Sequence, residues 1–209
     1  ENTASDTQLV SVVDTTAPNG LLFHFAEGAK PLATPWQVAV ERAKILKQFD
    51  IPHGLILDPA CGSGIQLAAY CAILGRSGIG IELDELTAKA AASNLRRVAE
   101  HGFGEELFDS IIRVGDGRIG DDSIKIAFLH LDPARPRNSQ THGLEEMMPQ
   151  LPEIFSAWKE QLIVGGRMFA IIGSGAVMDA VLIKRITEHD WYNEVLFETS
   201  AEALEGTKA

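Results

Sequence analysis

Four acidic residues close apolar runs along this chain: Asp58 after residues 55–57, Glu82 after 79–81, Asp116 just past 111–114, and Asp132 after 124–131. A carboxylate at a strand tip can accept hydrogen bonds from both hydroxyls of a ribose, which suits Glu82. Asp58 opens a glycine turn, Asp58-Pro59-Ala60-Cys61-Gly62-Ser63-Gly64. There it would repel a phosphate but could hold a cationic group, directly or through water. The glycines let the backbone approach a ligand closely, and the helix start beyond them offers free N–H groups. Pro133 and Pro136 stiffen the loop after Asp132, so whatever that carboxylate faces is held with little entropy loss.

These residues need strands to carry them. The turn lies between an apolar run and a helix-prone segment, 65–74, that leads to a second apolar run. The pattern is strand, glycine turn, helix, strand, with its acid about 20 positions past the glycines, as nucleotide sites of this type require. Leu86, Ala88, Ala91, Ala92, Leu95 and Val98 predict a helix over 84–100, ended by the Gly102 and Gly104 stretch. Residues 111–114 and 124–131 read as the third and fourth strands, the latter apolar almost throughout, as a central parallel strand is. A helical segment broken near Pro149 and Pro152 follows over 144–162. Then come a fifth strand at 167–172, a helix at 177–188 and a sixth strand at 194–198. Ahead of the glycine unit, Thr34 is the expected N-cap and Pro35 the first residue of a helix. Its apolar stripe holds Val38, Ala39, Ala43, Ile45, Leu46 and Phe49, with Arg42 as the exception. The chain divides into an arm (1–20), one domain (21–200) and a tail (201–209). The fold class is α/β: a mostly parallel central sheet with helices on both faces. The pattern leaves open whether the last strand is present.

The spelling of the turn departs from the G-x-G-x-x-G of pyrophosphate sites and resembles the first motif of class I S-adenosylmethionine-dependent methyltransferases, with Glu82 where their ribose-binding acid sits. Three further stretches accompany it: Ala33-Thr34-Pro35, Glu41-Arg42-Ala43 and Asp132-Pro133-Ala134-Arg135. Together, over roughly 32–175, they resemble the methyltransferase domain of the THUMP-like proteins, itself similar to RNA cap guanine-N2 methyltransferases. The resemblance implies a Rossmann-like fold, S-adenosyl-L-methionine as cofactor, and methyl transfer to an RNA base nitrogen. Asp58, Ala60, Cys61, Gly62 and Gly64 would frame the amino acid end of the cofactor, Glu82 and Leu83 the ribose, and Asp116 and Gly117 the adenine. Asp132 would border both cofactor and acceptor and orient the acceptor nitrogen. Asp132 and Arg135 are the expected catalytic pair. Arg135, Arg137 and Thr34 are the expected substrate contacts. Asp116 has an alternative as a simple turn aspartate, and the two arginines as solvated or salt-bridged loop residues.

Amino-group methylation of a base commonly uses an aromatic where this chain has Arg135. Stacking would then fall to Arg135 itself or to Phe23, Phe25 or Trp36. Methylation of a pyrimidine ring carbon needs a cysteine nucleophile near the fourth strand. Cys61 and Cys71 lie instead in the first turn and helix and read as small packed residues. The six histidines are scattered without metal-ligand spacing, so no metal site is expected, and His24 reads as a packed histidine.

Composition bounds the rest. Hydrophobic residues at 45% and charged residues at 22% describe a globular chain. No apolar run spans a bilayer and no secretory leader is visible. Two cysteines do not make a disulfide framework, which points to a reducing cytoplasm. Twenty-nine acidic residues against 18 basic ones give a net charge of −11, the wrong sign for gripping nucleic acid alone. Arg96, Arg97, Arg113, Arg118, Arg135 and Arg137 are the local exceptions. Either RNA is held with help from another domain or protein, or the acceptor is a small molecule or protein. A methyltransferase-fold subunit acting through a partner is the remaining class.

Overall fold

The computed structural model describes residues 9–13, 17, 21–27, 29, 33–133, 149–173 and 177–200. Two short strands, β1 (Val10–Val13) and β2 (Leu22–Phe25), pair antiparallel ahead of the main sheet. Helix α1 (Trp36–Leu46) precedes β3 (Leu55–Asp58), α2 (Ile65–Leu74), β4 (Gly78–Glu82), α3 (Glu85–Glu100), β5 (Ile111–Val114) and β6 (Ile126–Leu131). Helix α4 (Leu151–Trp158) leads into β7 (Leu162–Ile172), β8 (Val177–Arg185) and β9 (Trp191–Ser200). The main sheet runs β5-β4-β3-β6-β7-β8-β9. Its first five strands are parallel to their neighbours, and β8 is antiparallel to both β7 and β9.

Alternation along the strands feeds two cores. Ile56, Phe128, Phe169 and Ile171 face α1, α2 and α3, where they meet Ala43, Leu46, Ile65, Leu67 and Leu95. Leu57, Leu129, Leu131 and Met168 face the other side and pack under Leu151, Ile154 and Trp158 of α4. Helices therefore lie on both faces. β6 is buried along its whole length, His130 included, as a nearly all-apolar central parallel strand is. Gly78 and Gly80 let α2 settle onto β4. A Cβ on Gly80 would lie 2.6 Å from Ile112 Cδ1, 2.8 Å from Cys61 Sγ and 3.0 Å from Leu67 Cδ2. Both cysteines are buried and unpaired, as small packed residues.

Three expectations are corrected. Residues 177–188 are not a helix: β8 occupies Val177–Arg185, and with it the sheet reaches seven strands. Met178, Asp179 and Ala180 suit a helix locally, but nine residues of pairing with β9 on one side and six with β7 on the other override that preference. The alternation Val177 exposed, Met178 buried, Asp179 exposed, Ala180 buried was the signal. Second, β7 begins at Leu162 rather than 167, with an irregular stretch around Gly165, whose φ is +84°. Third, α1 starts at Trp36 with Pro35 at the cap position and no side-chain cap, so Thr34 does not cap it. The buried face of α1 is Trp36, Ala39, Ala43 and Leu46, while Val38 faces solvent. The part of the broken helix before residue 149 lies outside the described residues.

Gly80→Ala forces three side chains apart at the α2–β4 contact. It is predicted to lower unfolding free energy by about 1–3 kcal/mol in urea titrations, and Cys61→Ala in the same chain to recover part of the loss.

Candidate functional site

The strand order reverses between β3 and β6: β4 and β5 follow on one side of β3, while β6 and β7 lie on the other. Ligands in open α/β sheets bind at the carboxyl ends of strands at such a point. Asp58 ends β3, Glu82 ends β4, Asp116 follows β5 and Asp132 follows β6. The fold thus brings all four acids to one edge of the sheet.

The glycine turn is fastened to the tip of β4. Cys61 N–H donates to the Ile81 carbonyl at 3.0 Å, and Gly62 N–H to Glu82 Oε2 at 3.0 Å. The other oxygen of Glu82 accepts from Asp84 N–H at 2.9 Å, and its carbonyl accepts from Gly115 N–H at 2.9 Å. Glu82 therefore links the turn, its own strand and the tip of β5. Gly62 and Gly64 take φ of +51° and +72°, in the left-handed region that favours glycine. Gly64 also has no room for a side chain: a Cβ there would sit 2.9 Å from Leu95 Cδ1 and 3.0 Å from Ala91 Cβ on α3. Leu83, beside Glu82, is exposed.

Asp58 is 3% exposed. It accepts from Ala60 N–H at 3.2 Å, and no cation pairs with it among the described residues. Burial pushes its carboxyl up to about 8; the Ala60 N–H opposes the rise, and the Asp132 and Glu82 charges add to it. An unliganded carboxyl in such a place holds its proton at neutral pH, and an arriving cation would displace that proton.

Asp132 is anchored from α1. Arg42 Nη1 donates to Asp132 Oδ2 at 2.9 Å and to Gln66 Oε1 at 3.3 Å, and its guanidinium lies 5.7 Å from the centre of the Phe169 ring. Gln66 Nε2 in turn donates to the Ala39 carbonyl. Arg42 Nε is buried with no partner among the described residues. Behind this pair, Tyr70 Oη lies 3.1 Å from His130 Nδ1. Burial holds that histidine neutral, well below its usual range, and raises the tyrosine. Arg42 was visible in the sequence as the charged exception in an apolar stripe and as part of the Glu41-Arg42-Ala43 stretch, with no partner assigned. Its partnership with Asp132 spans 90 residues and has no local signature.

The tip of β5 is occupied by its own arginine. Arg118 Nη2 donates to Asp116 Oδ2 at 2.7 Å, its Nε and backbone N–H reach Asp116 Oδ1, and its Nη1 lies 3.6 Å from Glu153 Oε2 on α4. The Arg118 bonds hold the Asp116 carboxyl below its ordinary range. Gly117 is there for packing: a Cβ would fall 1.8 Å from the Pro59 carbonyl oxygen, and its own carbonyl accepts from Trp158 Nε1 at 2.7 Å. The approach to Pro59 brings the β5 loop against the glycine turn, and the Trp158 bond ties it to α4. Arg135 and Arg137 lie outside the described residues. Phe23, Phe25 and Trp36 are core residues, with Trp36 packed between Phe23 and Phe103. None of the three is free to stack on a base. His24 is packed as expected, 3.1 Å from Ser93 Oγ.

No protein-family model and no curated protein sequence matches this chain. Solved structures do. The methyltransferase candidate YhhF from Escherichia coli superposes with a TM-score of 0.51 at 14% identity, covering 72% of this chain and 74% of that one. YjhP from E. coli gives a TM-score of 0.45 at 20% identity over 64% of this chain, and the chain spans 47% of YjhP. An rRNA methylase from Streptococcus thermophilus gives 0.44 at 15% identity, over 63% and 69% of the two chains. With the strand order, the YhhF superposition shows the fold: α/β, Rossmann-like, of the class I methyltransferase kind.

Two measurements follow from the buried charges. In the unfolded chain Asp58 ionises near pH 4, whereas in the fold it keeps its proton to about 8. Between those values the folded state binds the extra proton, so stability falls as pH rises through the window. Asp58→Asn cannot ionise and keeps an oxygen for Ala60. Its stability relative to wild type is predicted to rise from pH 4 to pH 8, by roughly a few kcal/mol in urea unfolding. Arg42→Met leaves the Asp132 carboxylate half-buried without its cation. It is predicted to cost about 2 kcal/mol, with Arg42→Lys costing less, by thermal unfolding.

Proposed function

We propose that this chain is an S-adenosylmethionine-dependent methyltransferase whose acceptor is a nitrogen of an RNA base. The observation that carries it is the meeting of Asp58, Glu82 and Asp132 around one glycine turn at the switch point of the sheet. The site fits an adenosyl cation on its own chemistry. A buried carboxyl with no cationic partner among the described residues suits a positively charged amino acid end. A carboxylate held at the next strand tip suits a pair of hydroxyls, and the crowding of acids disfavours a phosphate. Solved structures of methyltransferases with this fold, among them a geranyl diphosphate methyltransferase in complex with SAM and a glycopeptide N-methyltransferase complexed with the same cofactor, support the choice of ligand class.

When bound, the cofactor supplies a methyl group on a sulfonium leaving group, so the chain's work is alignment. Asp58 frames the amino acid end from beneath the turn. Glu82, already fixed by Gly62 and Asp84, presents its oxygens to the ribose. Asp116 serves the adenine once Arg118 yields or shares its carboxylate. Asp132, with Oδ2 held by Arg42, keeps Oδ1 for the N–H of the acceptor and so aims the nitrogen lone pair. Arg135 and Arg137 hold a substrate phosphate or carboxylate.

RNA is proposed to be held with help from another domain or protein, because three arginines that could grip phosphates are engaged within the chain: Arg96 with Glu100, Arg113 with Asp121, and Arg118 with Asp116. That pairing and the net charge of −11 also favour a second acceptor class, a small metabolite or a protein side chain. Among the described residues no helix is long and apolar enough to cross a membrane. The two unpaired buried cysteines support a reducing compartment such as the cytoplasm.

Calorimetry with S-adenosylhomocysteine is predicted to show one site, with proton release rising as the buffer is taken below pH 8. Glu82→Ala is predicted to weaken binding about tenfold or more. Tritium-methyl transfer to total RNA, alone and with partner fractions, tests the acceptor. Label confined to small molecules or protein overturns the RNA assignment, and absence of any label with intact binding supports a subunit without activity of its own.

A further inference from the structure

Helix α3 carries one amide on its apolar face. Asn94 is fully buried, among Ala90, Ala91, Leu95 and Val98. Its Oδ1 accepts from His24 N–H at 2.7 Å, and its Nδ2 donates to the His24 carbonyl at 2.9 Å and to the Ser63 carbonyl at 2.9 Å. The first two bonds satisfy both main-chain groups of His24, so a side-chain amide takes the place of a neighbouring strand along β2. The third reaches the middle of the glycine turn, between Gly62 and Gly64. One amide thus joins the N-terminal hairpin to the backbone that carries the site.

The chemistry of this position is narrow. Two N–H donors and one oxygen acceptor are all used, and only Asn offers them at this reach. A state with either partner displaced leaves a buried polar group unpaired, at the full cost of its desolvation. Turn and hairpin are therefore seated together or not at all. Ser93 and Arg97 add contacts from the same helix to His24 Nδ1 and to the Leu22 carbonyl, but neither touches the turn.

Resting on the cofactor reading above, we propose that Asn94 is a positioning residue that makes the β1–β2 hairpin part of the cofactor site, so that occupancy of the glycine turn and docking of the hairpin stabilise each other. The coupling is reciprocal by linkage. A ligand that orders the turn protects the hairpin, and loss of the amide weakens the ligand although Asn94 does not face it.

Hydrogen exchange on the full chain, with and without saturating S-adenosylhomocysteine, and calorimetry with the same ligand test this. The His24 amide is expected to exchange at least about fivefold more slowly with ligand bound. Asn94→Ala and Asn94→Asp, which lose both donors, are expected to bind about tenfold more weakly. Ser93→Ala, which loses one hairpin contact and keeps the bond to the turn, is expected to weaken binding much less than the Asn94 variants do. Unchanged affinity in the Asn94 variants, with wild type binding normally, overturns the coupling and leaves the cofactor reading standing. Failure of wild type to bind overturns both. Should the variants not fold, exchange on wild type decides: ligand-induced protection at His24 supports the coupling, and none overturns it.

Discussion

The grip of β4 on the glycine turn is the constraint on which the carboxyl edge depends. Two consecutive N–H groups, of Cys61 and Gly62, are spent on the Ile81 carbonyl and the Glu82 carboxylate. The turn is held as an extension of the sheet, and Glu82 is fixed before any ligand arrives. Glycine makes this possible at three separate contacts: Gly80 under Cys61, Gly64 under α3, and Gly117 under Pro59. Each removes a side chain where two backbones or a helix and a strand come together. The result is a short, stiff rim around the ends of β3, β4 and β5, suited to preorganised binding.

Bringing four acids to one edge raises a problem of charge, and the structure answers it differently at each. Asp132 has a guanidinium from α1, and Asp116 has one from its own loop. Glu82 is satisfied by backbone N–H groups. Among the described residues Asp58 has only a single N–H and is buried, so a proton is the means left to neutralise it. The acids with built-in partners are fixed in direction. The one without is where an external cation gains most. In the proposed function that division gives Asp58 and Asp132, neighbours across the switch point, different tasks: one holding charge, the other aiming an acceptor.

The parallel half of the sheet was legible because its strands are short apolar runs with acids and glycines at fixed offsets, and α3 because its apolar residues recur at helical spacing; the Asp84 cap emerges from the structure. The antiparallel half was not. Val177–Arg185 has residues that suit either state, and its pairing partners lie across hairpins whose geometry a local window does not contain. The acids of the site could be read by position, but their partners could not. Arg42 appeared as a polar interruption of an apolar face and within a motif, without its partner, and Asn94 drew no notice, because a single buried amide leaves little signal in a sequence. Phe23, Phe25 and Trp36 were misplaced for the opposite reason: aromatic rings near a motif look available until the core claims them.

The central claim is that an adenosyl amino acid, its ammonium at Asp58 and its ribose at Glu82, is held at the tips of β3, β4 and β5. Backbone amide shifts by NMR during titration with S-adenosylhomocysteine test it most directly. The account predicts that Gly62, Gly64, Leu83 and Gly117 shift together with one dissociation constant. Shifts confined to the cavity between the turn after α1 and the strands β7, β8 and β9, at Phe49, Arg167, Lys184 and Tyr192, or no shifts at all, would contradict it.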